Sequence, residues 1–103
     1  MSANLHYVSA AEAHYAYGRL DDHIHRGSVV ELSDGTGNRV FVRVLRVWRW
    51  RGQHGAVGGV LLSPGSVCRV VVAMPGGVEH EIDVRDPARR WGCVGVMVEA
   101  TTP

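Results

Sequence analysis

The residues best suited to chemistry lie between positions 39 and 51, where arginines alternate with large aromatic side chains. No acidic residue occurs between Asp34 and Glu79, and this stretch contains six arginines: Arg39, Arg43, Arg46, Arg49, Arg51 and Arg69. Guanidinium groups bind phosphates in a fixed geometry, and flat aromatic rings stack on nucleobases. The pattern therefore predicts a surface that binds nucleic acid or another polyanion.

Whether these side chains face the core or the solvent depends on one break in the alternation of apolar and polar residues. Val40, Val42 and Val44 alternate with polar or aromatic residues, which predicts a strand with one core-facing side. The adjacent apolar residues Val44 and Leu45 interrupt this alternation. A β-bulge at this step would turn Leu45 and Val47 toward the core. The outer face would then carry Arg39, Phe41, Arg43, Arg46, Trp48 and Trp50.

A competing interpretation keeps the strand regular. Trp48 and Trp50 would then join the core, while Arg49 and Arg51 would face solvent, because a one-residue slip exchanges the two faces. The arginines would be neutralised by cross-strand partners, since the segment 78–84 alternates apolar residues with Glu79, Glu81 and Asp83. Taking both registers together, the candidate polyanion-binding residues are Arg39, Phe41, Arg43, Arg46, Trp48, Arg49, Trp50 and Arg51.

The elements that must position this strand follow from turn residues and apolar periodicity. Ser9 and Glu12 have the spacing of a capping box, which predicts a helix from about 10 to 22. Gly-rich and Pro-containing turns separate apolar runs that predict strands at 28–33, 39–50, 57–62, 66–74, 78–84 and 92–99. We therefore expect one mainly β (α+β) domain over residues 1–103. It should be a small antiparallel barrel or sandwich of five to six strands with one N-terminal helix, and its β part should span about 28–100.

Few residues have the spacing of a catalytic or metal site. His23, His25 and Glu31 are weak candidates for a metal triad, since a metal requires at least three converging ligands. Cys68 and Cys93 lack motif spacing and predict small buried thiols rather than a disulfide framework. No nucleophile motif and no spaced pair of carboxylates is present. We therefore expect a binding module rather than an enzyme, without a cofactor or bound metal.

The composition of the chain indicates the cellular compartment and the type of organism in which this domain works. No apolar run reaches the length of a membrane span, and no basic segment followed by an apolar one marks a secretion signal. All eleven Lys and Arg residues are Arg, which is typical of a GC-rich bacterium or its phage. We expect a cytoplasmic module that binds nucleic acid. The alternatives are a structural or protein-interaction subunit, homo-oligomeric or part of a phage particle or operon-encoded complex, and a His-based metal enzyme.

Overall fold

The structure, a computed structural model, describes residues 4–13 and 19–99. Its strands are β1 (Leu5–Ser9), β2 (Val29–Ser33), β3 (Arg39–Arg49), β4 (Gly55–Val57), β5 (Val60–Leu62), β6 (Val67–Ala73), β7 (Glu79–Asp83) and β8 (Gly92–Glu99). Six of them form one antiparallel sheet in the order β1-β8-β2-β3-β6-β7, and β4 pairs with β5 in a separate hairpin. The mainly β, antiparallel architecture expected from the sequence is confirmed.

The hydrophobic core lies on one side of this sheet. Val8 of β1 and Ile82 of β7 come from opposite edges of the sheet and belong to the same buried cluster. The sheet must therefore curve around its core. Because β1 and β7 are not paired with each other, the sheet stays open instead of closing into a barrel. Leu32 and Val72 are fully buried at its centre, where apolar side chains contribute most to stability.

The predicted N-terminal helix is confirmed at its start but not over its full length. Ser9 and Glu12 form the expected capping box around a helical turn, α1 (Ala10–Glu12). Residues 14–18 of the predicted helix lie outside the described part of the chain. Arg19 has an extended backbone, and a separate 3-10 helix follows at Leu20–His23. A continuous helix over 10–22 is therefore wrong.

The 3-10 helix is held in place by its aspartates. The Asp22 carboxylate accepts from the backbone N–H of Arg19, and the Asp21 carboxylate accepts from the N–H of Val67 at 2.8 Å. The bond between Asp22 and Arg19 has the geometry of a capping box, so a separate helical turn begins at Leu20. Among residues 4–13 and 19–99, no helix is long and apolar enough to cross a bilayer.

Two strand predictions need correction. The single strand predicted at 57–62 is the hairpin of β4 and β5, because Gly58 and Gly59 both adopt positive φ and turn the chain in the middle of the apolar run. Positive φ is readily accessible only to glycine. The sequence pattern also misses β1, an edge strand of five residues that pairs only with β8.

Candidate polyanion-binding groove

β3 contains the bulge that its apolar pattern predicts. Val44 lies opposite Val72 on β6, and the next pair joins Arg46 to Val71. Leu45 is therefore an additional residue on β3 without a partner in the ladder. A bulge of this kind strengthens the local twist and reverses which side chains point outward after it.

The bulge decides the orientation of the second half of β3. Val47 packs against the hydrophobic core, whereas Trp48 lies opposite Arg69 on the outer face of the sheet. Leu45 does not take over the core face as expected. It is half-buried and lines a shallow depression with Arg26 and Arg46. The outward register of Trp48 is thus confirmed, and the core position of Leu45 is wrong.

Several arginines of the acid-free stretch are neutralised by carboxylates on other strands of the sheet. The ion pairs are Arg39–Glu31 at 3.1 Å, Arg46–Glu79 at 3.2 Å and Arg69–Glu81 at 3.6 Å. The pairing that the competing interpretation predicts therefore occurs at Glu79 and Glu81. Asp83 differs, since it pairs with Arg85 at 2.7 Å. Charge neutralisation and an outward-facing Trp48 are present together, so each interpretation describes part of the strand.

Two of these arginines lie against the Trp48 ring. The guanidinium carbon of Arg69 lies 3.9 Å from the centre of the indole ring, and that of Arg46 lies 5.8 Å away. These distances are typical of cation–π contacts, which fix both groups in place. The Nε of Arg69 is buried without a hydrogen-bond partner in the described part of the chain. The stack therefore fixes the Arg69 guanidinium on the outer face.

Arg49 has a structural role that the sequence does not predict. Its guanidinium donates to the backbone carbonyls of Asp21 at 3.2 Å, Ile24 at 2.7 Å and Gly65 at 3.0 Å. A guanidinium has five N–H donors and can therefore bind several backbone carbonyls at once. Arg49 thereby fastens the end of β3 to the segments on either side of it.

An open groove with a volume of about 630 Å³ lies at the end of β3. Three parts of the chain line it: residues 24–26 before β2, residues 47–51, and a third group formed by Cys68, Arg69 and Arg85. This described lining contains five arginines, one histidine and two tryptophans, and it contains no Asp or Glu. The lining is therefore basic and interrupted by aromatic rings, although Arg69 and Arg85 are paired with Glu81 and Asp83 outside it.

The groove gathers only half of the residues that the sequence predicts for polyanion binding. Trp48, Arg49, Trp50 and Arg51 line it, whereas Arg39, Phe41, Arg43 and Arg46 lie elsewhere on β3. The sequence does not predict Arg26, Arg69 or Arg85 as binding residues, and it indicates His25 only as a metal candidate. Arg69 is predicted only as a member of the acid-free stretch. Arg26 and Arg85 belong to turns, where no periodicity indicates the direction of a side chain.

Two of the groove arginines carry uncompensated charge. Arg26 and Arg51 are exposed, and neither guanidinium has a hydrogen-bond or ion-pair partner among the described residues. Arg85 is different, because its hydrogen bonds to Asp83 raise the pKa of Arg85 and lower the pKa of Asp83. Arg26 and Arg51 are therefore the groups most available to an incoming anion.

Trp50 is held in a fixed orientation beside these cations. Its indole N–H donates to the carbonyl of Gln53 at 3.0 Å. The ring lies against Gly52, where an added Cβ would come within 2.6 Å of the indole Cζ2. In the described part of the chain, no guanidinium stacks on Trp50 as Arg69 does on Trp48. Trp50 therefore offers a fixed aromatic surface to the groove.

The weak metal candidates are not brought together. His23 and His25 line a second depression with Arg43 and Glu99, and His25 lines the groove as well, while Glu31 accepts hydrogen bonds on the outer face. The described residues contain no cluster of three His, Cys, Asp or Glu side chains able to hold a metal. Cys68 and Cys93 are free thiols, and burial raises the pKa of Cys93 to about 11. That thiol is consequently protonated at neutral pH and is a poor nucleophile.

Glu31 belongs to a cluster at the other end of β3. It is buried, and its Oε1 accepts from the Tyr7 hydroxyl at 2.7 Å and from Arg39 at 3.1 Å. The Tyr7 ring packs edge-on against Phe41 and covers Gly95, where an added Cβ would collide with it. Burial, followed by the bond to Glu31, raises the pKa of Tyr7 to about 12. This cluster joins β1, β2 and β3 and lies outside the groove.

The Tyr7 cluster makes stability depend on alkaline pH. An unperturbed tyrosine has a pKa of about 10, so between that pH and about 12 the unfolded chain loses a proton that the folded protein keeps. We expect the free energy of unfolding to decrease as pH rises through this window and to be unaffected by Tyr7 below it. Urea denaturation at pH 9 and pH 11 measures the decrease, which should be smaller in Tyr7→Phe. An identical decrease in both proteins would contradict the assignment.

No protein-family model, curated protein or solved structure matches this chain. A shared fold would in any case not establish an activity, because function depends on the geometry and charge of particular residues. The groove at the end of β3 combines such geometry and charge.

Proposed function

We propose that this protein is a non-enzymatic binding module whose groove binds nucleic acid through its phosphate backbone. One observation carries the proposal: five arginines surround a single groove whose described lining has no acidic side chain. Arg26 and Arg51 supply unpaired guanidinium groups, and Arg69 and Arg85 are held in place by their partners. Neutralising several phosphates at once releases condensed counterions, which is the main source of affinity for nucleic acids.

The aromatic residues favour nucleic acid over an acidic protein. Trp48 and Trp50 lie among the arginines of the groove and are not confined to the core. Carboxylate side chains of an acidic protein would use the guanidinium groups but gain little from indole rings. Nucleobases gain stacking energy from a ring such as that of Trp50, on which no guanidinium stacks among the described residues, typically about 1–3 kcal/mol for each stacked base.

Removal of the two unpaired groove charges tests the proposal. We expect Arg26→Gln/Arg51→Gln to bind a fluorescein-labelled oligothymidylate more weakly and with a smaller dependence on salt. The slope of log affinity against log salt should fall by about 0.7 for each lost phosphate contact. Fluorescence anisotropy at several salt concentrations measures both quantities.

The matched control removes the same charge outside the groove. Arg39 and Arg90 are exposed outside the groove, where they pair with the carboxylates of Glu31 and Asp34. Arg39→Gln/Arg90→Gln should therefore leave affinity and salt slope close to those of the unmodified protein. Equal losses in both double variants, or no binding at low salt, would contradict the groove as the site. Displacement of the oligonucleotide by polyglutamate at equal charge concentration would instead indicate an acidic protein partner.

A different observation favours a second function, that of a protein-interaction subunit. Among residues 4–13 and 19–99, four large apolar side chains are more than half exposed: Leu61 at 73%, Val78 at 67%, Phe41 at 55% and Leu5 at 51%. Leu61 is the most exposed and lies on the β4–β5 hairpin. Size-exclusion chromatography with light scattering distinguishes the two functions. A stable homo-oligomer that dissociates in Leu61→Asp would support the second, and a monomer would oppose a homo-oligomeric subunit.

A further inference from the structure

We infer that the groove selects single-stranded over duplex nucleic acid, an inference that rests on the proposed function. The first observation concerns the strand edge beside the groove. β2 pairs with β3 only from Arg39 to Arg43, and the last backbone bonds on that side join Val44 to Gly27 and Ser28. In the described part of the chain, β3 from Arg46 to Arg49 pairs only with β6.

This half-paired edge can recognise unpaired bases. A strand without a neighbour presents backbone N–H and C=O groups sideways. Such groups hydrogen-bond to the Watson–Crick edges of bases that have been splayed out of a helix. In a duplex those edges are occupied by the complementary strand, so this edge of β3 is useful only toward a single strand.

The tryptophans provide the second, independent observation. Trp50 is oriented by Gln53 and Gly52, and Trp48 is held against the guanidinium of Arg69. Base faces are accessible to an indole ring or a guanidinium plane only when they are unstacked. A surface made for duplex phosphates alone would need the arginines but not the two fixed rings between them.

The groove and its continuation along β3 are also long enough for a short single strand of nucleic acid. Two shallower depressions continue from it along β3, and both share Arg26 with it. The surface runs from Arg51 to Arg43, a length of roughly 25 Å for a β-strand. It meets its first acidic lining residue at Glu79, which pairs with Arg46. This length suits about four nucleotides, the lower end of the site sizes of small β modules that bind single strands.

Three oligonucleotides of equal length test the inference on the unmodified protein: a single-stranded oligothymidylate, the same strand with abasic positions, and a duplex. At one low salt concentration, we expect anisotropy to give about tenfold tighter binding of the oligothymidylate than of either alternative. Tryptophan fluorescence should be quenched by the oligothymidylate and much less by the abasic strand. This comparison does not depend on the folding of any variant.

A pair of variants locates the stacking surface. Trp50→Leu should reduce affinity for the oligothymidylate to about that of the abasic strand, while leaving duplex binding unchanged. Phe41→Leu is the matched control, since it removes an exposed aromatic ring of β3 outside the groove. Equal affinity for all three oligonucleotides would overturn the inference and leave phosphate binding intact. Failure of all three to bind would overturn the proposed function itself.

Discussion

Replacing Arg49 with methionine is expected to lower the free energy of unfolding by about 3 kcal/mol, because three backbone carbonyls lose a charged donor. The carbonyls of Asp21, Ile24 and Gly65 belong to segments on either side of the end of β3. Methionine keeps much of the aliphatic length of arginine, so the loss reports hydrogen bonding more than packing. Urea denaturation followed by far-ultraviolet circular dichroism measures it.

Arg46→Met on the same strand is the control. Arg46 forms an ion pair with Glu79 in which both side chains are 61% exposed, and such pairs contribute about 1 kcal/mol or less. We therefore expect Arg46→Met to be much the milder substitution. An equal loss of unfolding free energy in the two variants would show that Arg49 has no special structural role. Its guanidinium would then be as available to ligands as the guanidinium of Arg51.

Replacing Gly58 with alanine is expected to destabilise the protein by about 2 kcal/mol or more. Gly58 has φ +57°, a conformation that costs other residues roughly 1–2 kcal/mol, and an added Cβ would collide with the backbone carbonyl of Arg85. The collision involves main-chain atoms, so no side-chain rotation relieves it. Because Arg85 lines the groove, we also expect this variant to bind the oligothymidylate more weakly.

Gly59→Ala separates backbone strain from the collision. Gly59 has φ +80°, and nothing lies within 4 Å of the position its Cβ would take. We expect it to lose only about 1 kcal/mol and to retain oligonucleotide binding. Thermal denaturation and anisotropy on both variants give the comparison. Equal effects in the two would show that the approach of the β4–β5 hairpin to Arg85 is unimportant.

The structure also explains why two opposed expectations for β3 are both partly correct. The adjacent apolar pair Val44 and Leu45 predicts a bulge, and the bulge turns Trp48 outward. The acidic alternation of β7 predicts carboxylates opposite those arginines, and Glu79 and Glu81 meet Arg46 and Arg69. Neither pattern shows that Leu45 remains outside the core. That position follows from the twist at the bulge, which no local alternation encodes.

The sequence by itself determines β2, β3, β6, β7 and β8, close to their observed boundaries, and the excess of arginine in the middle of the chain. These features are local: alternation places Ile82 in the core and Glu81 outside it, and glycines mark the turns. The sequence does not determine which arginines form the groove. Only the sheet order brings Arg26 and Arg85 to the end of β3, and only the tertiary structure commits Arg49 to backbone carbonyls. The groove joins residues distant along the chain, and their proximity follows from the packing of the whole sheet.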